Sequence, residues 1–207
     1  MEKIIFATGN EHKMEEIRMI LKDMGMELLS QREAGIHADV VEDGDTFEEN
    51  ALIKATQVAE AAAKEGYETA VVLADDSGLE IDYLNKEPGI YSARYMGEDT
   101  SYEIKNQALL ERLKGVEDKD RTARFVCAIA AVFPDGSNAV VRGTMEGMIG
   151  HEIVGENGFG YDPIFFLPLY GCTSAQLAPE KKNELSHRGE GLRKMREILR
   201  KKLEPEK

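Results

Sequence analysis

The chain has 207 residues, 42% of them hydrophobic, with 39 acidic against 26 basic side chains and a formal net charge of -13 at pH 7. That length supports one sizeable core. The charge argues against a nucleic-acid polymer as the main partner, since such proteins carry a basic field, and no apolar run approaches the roughly 18 residues of a membrane span.

A single domain over residues 1–207, divided into two lobes, is expected. Two cysteines, Cys127 and Cys172, make neither a disulfide framework nor a metal spacing. Cys127 lies in an apolar run and reads as core. With no signal-peptide pattern at the N-terminus, a reducing cytoplasm is the expected setting. Overall acidity still admits a small phosphorylated ligand wherever lysines, backbone N–H groups and a metal gather.

Residues 3–7 read as a short buried strand, Thr8-Gly9-Asn10 as a turn, and the following stretch as a helix to about Met24 with Met14, Ile17, Leu21 and Met24 on one face. Strand, glycine turn and helix together leave backbone N–H groups and a positive dipole end at the turn, an anion site. Lys13 sits in the first helical turn, where the dipole disfavours a bare cation and a bound anion would reverse the sign. The plainer reading makes Asn10 an N-cap and Lys13 a solvated side chain. Residues 26–31 and 37–42 are candidate strands, the second running into Glu42, Asp43 and Asp45. Thr46 and Glu49 form a capping box for a helix to about Lys64, with Phe47, Ala51, Ala55, Val58 and Ala62 on its apolar face and Asn50, Lys54 and Gln57 on another.

Ala70–Ala74 is a β-prone run expected to end in the two adjacent carboxylates Asp75 and Asp76, followed by Ser77 and Gly78. Ligand chemistry gathers at such strand ends. Neighbouring carboxylates repel unless a cation or a shared proton holds them, and Mg²⁺ is the natural cation for oxygen ligands; a solvated turn is the alternative. Leu79–Asp82 then alternates like a separate strand. Pro88–Tyr95 reads as an irregular loop, and Thr100 with Glu103 as a capping box for a helix to about Leu113. Residues 122–133 and 138–145 form a hairpin across Pro134–Ser137, which makes an all-parallel sheet unsuitable.

In Gly158–Phe166 two glycines bracket an aromatic and an acid precedes a proline. This suits either a stacking loop around a ligand or a glycine-rich entry into a strand at Ile164–Leu167. Lys181–Gly189 leads into a C-terminal helix with Leu192, Met195, Leu199 and Leu203 on its apolar face. Ser186-His187 lacks the G-x-S-x-G elbow of a serine hydrolase. His187 and Arg188 beside a helix N-terminus make a better donor set for a carbonyl or phosphate.

Taken in order, Thr8-Gly9-Asn10-x-x-Lys13, Thr46-Phe47-x-Glu49-Asn50-Ala51, Asp75-Asp76-Ser77-Gly78-Leu79, Pro88–Tyr95, Gly158-Phe159-Gly160-Tyr161-Asp162-Pro163 and Ser186-His187-Arg188-Gly189 resemble the inosine triphosphate pyrophosphatase family, from residue 3 to about residue 200. The resemblance implies a mixed α/β fold. Its twisted mixed sheet would carry helices on both sides and two lobes around a deep central cleft, an architecture shared with the Maf-like group, in a homodimer. It also implies hydrolysis of ITP, dITP and XTP to the monophosphate and pyrophosphate, with Mg²⁺ as cofactor.

Carried over by position, the resemblance makes Thr8, Gly9, Asn10, Lys13 and Lys54 holders of the triphosphate, and Glu42 and Asp76 metal carboxylates. Asp76 would also be the base for the attacking water, and Ser77 a substrate contact. Phe159, Gly160, Tyr161 and Asp162 would enclose the purine, while Lys182, His187 and Arg188 would hold the base and its 6-oxo group. Asp43 rivals Glu42, and Asp75 could share a role with Asp76. Gly191 and Cys172 depart from the family's pattern without touching a site position. A Maf-like pyrophosphatase of different base preference and a non-catalytic nucleotide-binding module are the alternatives. The acids Glu42, Asp75 and Asp76 argue against the module, and the absence of D-x-D-x-T argues against an aspartyl-phosphate phosphatase.

Overall fold

Ile4, Ile5 and Phe6 are almost inaccessible to solvent, and a run buried on both faces is what a strand inside a parallel sheet needs. They form β1 (Lys3–Phe6) in a computed structural model that describes residues 3–203. The other strands are β2 (Glu27–Ser30), β3 (Val71–Ile81), β4 (Thr122–Val132), β5 (Asn138–Ile149), β6 (Phe165–Leu167) and β7 (Cys172–Thr173). They make one sheet in the order β2-β1-β3-β4-β5-β6-β7. β1 pairs in parallel with β2 and β3, whereas β6 pairs antiparallel with β5 and β7. The expected mixed sheet is therefore present. The helices are α1 (Glu11–Leu21), α2 (Phe47–Lys64), α3 (Tyr102–Arg112), α4 (Pro179–Leu185) and α5 (His187–Leu203). Among the described residues no helix is long and apolar enough to cross a membrane.

The chain divides into two compact units, one of Met1–Asp76, Cys127–Gly143 and Arg188–Lys207, the other of Ser77–Val126 and Thr144–His187. In the first, Ile4 and Phe6 of β1, Val71 and Leu73 of β3, and Cys127, Ile129 and Ala131 of β4 share a core with Met14, Ile17 and Leu21 of α1 and Leu192, Met195 and Leu199 of α5. Strand residues two apart and helix residues three and four apart meet in one layer, as the two periods dictate. α2 serves the opposite strand face, where its Asn50 bonds Asp76. In the second unit, Leu79 and Ile81 pack with Leu109, Leu113, Phe125, Met145, Ile149, Tyr161, Ile164 and Phe165.

Four expectations need correction. β3 does not end at the acids: it runs from Val71 to Ile81 without a break, so Leu79–Ile81 is the same strand. Strand alternation sends Asp75 and Asp76 to opposite faces, and each meets its own donors, so their mutual repulsion forces no turn. Residues 37–42 form no strand; β1 already has β2 and β3 on its two sides, and the β-branched Val41 stays 65% exposed. The cap of α3 is Ser101, which accepts from the Ile104 amide, while the Thr100 hydroxyl donates to the Met96 carbonyl instead. At α2 the Thr46 hydroxyl accepts from the Glu49 amide as expected, but the Glu49 carboxylate accepts from Asp45, not from the cap residue.

Candidate active site

The acid pair divides between the two faces of β3. Asp75 is fully buried and follows Val71 and Leu73 on the face that carries α1 and α5. The Lys13 ammonium lies 3.1 and 3.0 Å from its two carboxylate oxygens. The Arg188 guanidinium donates to Oδ2 through Nε at 3.4 Å and Nη2 at 3.3 Å. Burial pushes the Asp75 carboxyl up, but Lys13, Arg188 and Lys54 outweigh it and hold it far below the usual carboxylate range. Arg188, 2% exposed, is braced from its other side by Glu16 of α1. Cys127 brings its Sγ within 4.0 Å of Asp75. Burial and that carboxylate push the thiol up to about 12, so it stays protonated and inert.

Asp75 therefore supplies the anion that the dipole argument required beside Lys13. The turn ahead of Lys13 is tied locally. The Thr8 hydroxyl accepts from the Asn10 amide at 3.1 Å, and the Asn10 side chain caps α1 by accepting from the Lys13 amide at 3.2 Å. Gly9 is exposed and a methyl there would meet nothing within 4 Å, so the glycine leaves open space above the turn. A cavity of about 460 Å³ opens over it, lined by Thr8, Gly9, Asn10, Ser30 and Arg32 among others.

Asp76 occupies the other face under different chemistry. Its Oδ2 accepts from Asn50 Nδ2 at 3.2 Å. Lys54, one turn further along α2, donates to the Asp75 backbone carbonyl at 3.1 Å and pairs with Glu42 at 2.5 Å. Burial raises the Asp76 pKa to about 6, opposed by Lys54 and the Asn50 hydrogen bond and reinforced by the charges of Glu42 and Asp75. Burial also works against the Lys54 ammonium, yet Asp75, Glu42 and Asp76 outweigh it and raise its pKa. Among the described residues no three His, Cys, Asp or Glu side chains gather as a ready-made metal cage. Two carboxylates completed by water and substrate oxygens are what Mg²⁺ takes, and Asp76 is a carboxylate whose charge its surroundings leave under-compensated. Glu42 and Asp76 thus fit such an ion by donor chemistry.

The second unit contains the remaining candidates. Asp162, 2% exposed, accepts from the Phe159 amide at 2.9 Å and the Ser174 hydroxyl at 2.7 Å, and pairs with Lys182 at 2.6 Å. The Lys182 ammonium also lies 5.0 Å from the centre of the Phe159 ring. Gly158 has φ +74°, and a Cβ there would stand 2.2 Å from Asp162 Oδ2 and 2.9 Å from Lys182 Nζ. This glycine makes room for the buried ion pair. Tyr161 is buried, its hydroxyl donating to the Ser92 carbonyl at 2.6 Å and its ring edge-on to Tyr102. It anchors the loop, and Phe159 is the half-exposed aromatic. His187 stacks on Phe125 at 4.9 Å, and Ser77 is half-buried in β3.

The candidates therefore divide between the two units. Thr8, Gly9, Asn10, Lys13, Glu42, Lys54, Asp76 and Arg188 belong to the first unit, and Ser77, Phe159, Gly160, Tyr161, Asp162, Lys182 and His187 to the second. Arg188, expected with Lys182 and His187, turns its guanidinium to Asp75 and Glu16. Glu16, Asn106 and Ser174 were not singled out from sequence, and Asn50 was placed on the Lys54 face of its helix without a role. Asn50 alone carried a readable signal, its place one helical turn before Lys54. Asn106 fastens the aromatic loop by donating to the Gly160 carbonyl at 3.1 Å.

The comparisons extend over both units. A profile of the Ham1 family matches residues 4–198. A dITP/XTP pyrophosphatase of Clostridium perfringens (strain 13 / Type A) is 48% identical over 200 residues, covering 97% of this chain and 98% of its own length. One from Bacillus subtilis (strain 168) is 44% identical over 199 residues, with 96% and 98% covered. Among solved structures, a HAM1 protein from Coxiella burnetii superposes with a TM-score of 0.85 at 39% identity, covering 96% of this chain and 98% of that one. The Ham1 protein of Staphylococcus aureus gives 0.79 at 42% identity, with the same coverage. Every candidate residue lies inside the matched span, and at this identity and length the chain belongs to the Ham1 family.

Proposed function

We propose that the chain hydrolyses the hypoxanthine and xanthine nucleoside triphosphates ITP, dITP and XTP to the monophosphate and pyrophosphate, as an Mg²⁺-dependent enzyme. The observation that carries this reading is the split role of the acid pair: Asp75 neutralised by Lys13 and Arg188, and Asp76 buried with too little positive charge around it. A pure anion binder gains nothing from Asp76, whereas a hydrolase needs a carboxylate that welcomes a cation and a proton. The similarity to dITP/XTP pyrophosphatases supports the substrate class.

In this mechanism the Thr8–Asn10 turn, the α1 dipole and Lys13 hold the triphosphate, with Lys54 beside the phosphorus under attack. Mg²⁺ on Glu42 and Asp76 would neutralise phosphate oxygens and make a water easier to deprotonate. Asp76 accepts the water proton while the oxygen attacks the α-phosphorus. The new O–P bond forms as the bond to the bridging oxygen breaks, and pyrophosphate leaves with that electron pair. Phe159 offers the purine a stacking face, Ser77 contacts the substrate, and Lys182 and His187 present donors that suit a 6-oxo group and oppose adenine's amino group. Arg188 acts through Asp75, keeping the carboxylate ionised and Lys13 in place. A cytoplasmic homodimer completes the proposal, on the family resemblance.

With Mg²⁺, the purified protein is expected to release pyrophosphate from ITP and XTP at least 100-fold faster than from ATP. Equal rates on ITP and ATP would overturn the base assignment, and orthophosphate as first product would overturn the reaction.

A further inference from the structure

Asn50 is completely buried, and both ends of its amide are used. Oδ1 accepts from the Gly44 backbone amide at 2.9 Å, and Nδ2 donates to Asp76 Oδ2 at 3.2 Å. The Gly44 N–H can face only an acceptor, so it fixes which way the amide points and leaves the donor end for the carboxylate. Gly44 is itself held to this contact: a Cβ there would lie 2.8 Å from Glu49 Cβ and 2.9 Å from Asn50 Oδ1. The segment so pinned carries Glu42 two residues earlier. One helical turn along α2, Lys54 reaches Glu42 directly at 2.5 Å. A single face of α2 thus grips both carboxylates of the candidate metal pair, Asn50 holding Asp76 and the Gly44 backbone, Lys54 holding Glu42.

We propose that Asn50 is the positioning residue of the metal pair, its amide tying the Glu42 segment through Gly44 to the Asp76 carboxylate and so setting the two carboxylates for one Mg²⁺. This rests on the function proposed above. The choice of residue follows from the geometry. Ala or Leu removes both bonds, Asp would point an acceptor at an acceptor, and Gln is one methylene too long for this span. Partners of metal-ligating carboxylates typically govern affinity by 10–100-fold.

The test is Mg²⁺ binding to the nucleotide-free protein by titration calorimetry, with steady-state kinetics on ITP, for wild type, Asn50→Ala, Asn50→Leu and Gly44→Ala. The inference predicts that the Mg²⁺ Kd rises about tenfold or more in the folded variants and that kcat falls by a similar factor, while KM for ITP moves less than about threefold. A lowered melting temperature with Mg²⁺ affinity and kcat within twofold of wild type marks a merely structural role and overturns the inference. If Asn50→Ala and Asn50→Leu do not fold, Gly44→Ala decides, since it breaks the same link from the loop side; unchanged Mg²⁺ affinity there overturns the inference. Wild type that neither binds Mg²⁺ nor turns over ITP is a failure of the proposed function itself. Active wild type with indifferent variants is a failure of the Asn50 role alone.

Discussion

Asp76→Asn should make the metal-free protein more stable while abolishing turnover. The Asp76 carboxyl has a pKa raised from 3.8 to about 6 by burial and by the charges of Glu42 and Asp75. A group that binds its proton more tightly folded than unfolded favours the folded state below the unfolded pKa. It then works against folding as pH rises through the window from about 4 to about 6. The full difference corresponds to about 3 kcal/mol above that window. With the residue 9% exposed, some of this is screened, leaving about 1–3 kcal/mol. An asparagine is isosteric and can still offer its oxygen to Asn50. In a chain of this size the gain corresponds to a rise of about 3–10 °C in Tm. The assay is urea unfolding in EDTA from pH 4 to pH 8. The variant's advantage should be small at pH 4, grow through pH 6 and hold constant above pH 7. Mg²⁺ should then raise the Tm of wild type and leave the variant unmoved, since the ion meets the charge that the mutation removes. A variant less stable than wild type at pH 8, or a gap independent of pH, would refute the reasoning.

The neighbouring acid should respond with the opposite sign. Asp75→Asn leaves Lys13 and Arg188 facing each other around a neutral group and should cost about 3–5 kcal/mol in urea unfolding at pH 7. Because its folded pKa is held below the usual range, the stability Asp75 contributes is present above about pH 4 and lost as pH falls below it. Gly158→Ala combines a φ of +74° with a Cβ 2.2 Å from Asp162 Oδ2. It should cost about 2 kcal/mol or more and raise KM for ITP more than it lowers kcat; unchanged KM would detach the Asp162–Lys182 pair from base binding.

What was legible in the sequence was local. Ile4–Phe6, the Thr8–Asn10 turn and the Met14, Ile17, Leu21 stripe lie within one short stretch, and each is a period or a cap that neighbouring residues declare. The interior of β3 was not legible. Asp-Asp-Ser-Gly has poor strand propensity, and the charges that let Asp75 stay buried in a strand are contributed from 62 residues upstream by Lys13 and 113 residues downstream by Arg188. Residues 37–42 failed the other way: two adjacent valines carry the propensity, but no neighbouring strand accepts them. The candidate site could be proposed from the sequence only because six weak motifs stand in one order. Their spacing could not show that Arg188 serves Asp75, or that an asparagine one turn before Lys54 holds Asp76.

The position of attack is the step on which the whole account depends, and it is read directly by turnover of ITP with Mg²⁺ in ¹⁸O-labelled water. Mass spectrometry of the products should place the label in the monophosphate, with none in pyrophosphate, because Asp76 deprotonates a water aimed at the α-phosphorus. Label in pyrophosphate or in released orthophosphate would mean attack at the β- or γ-phosphorus and would contradict it.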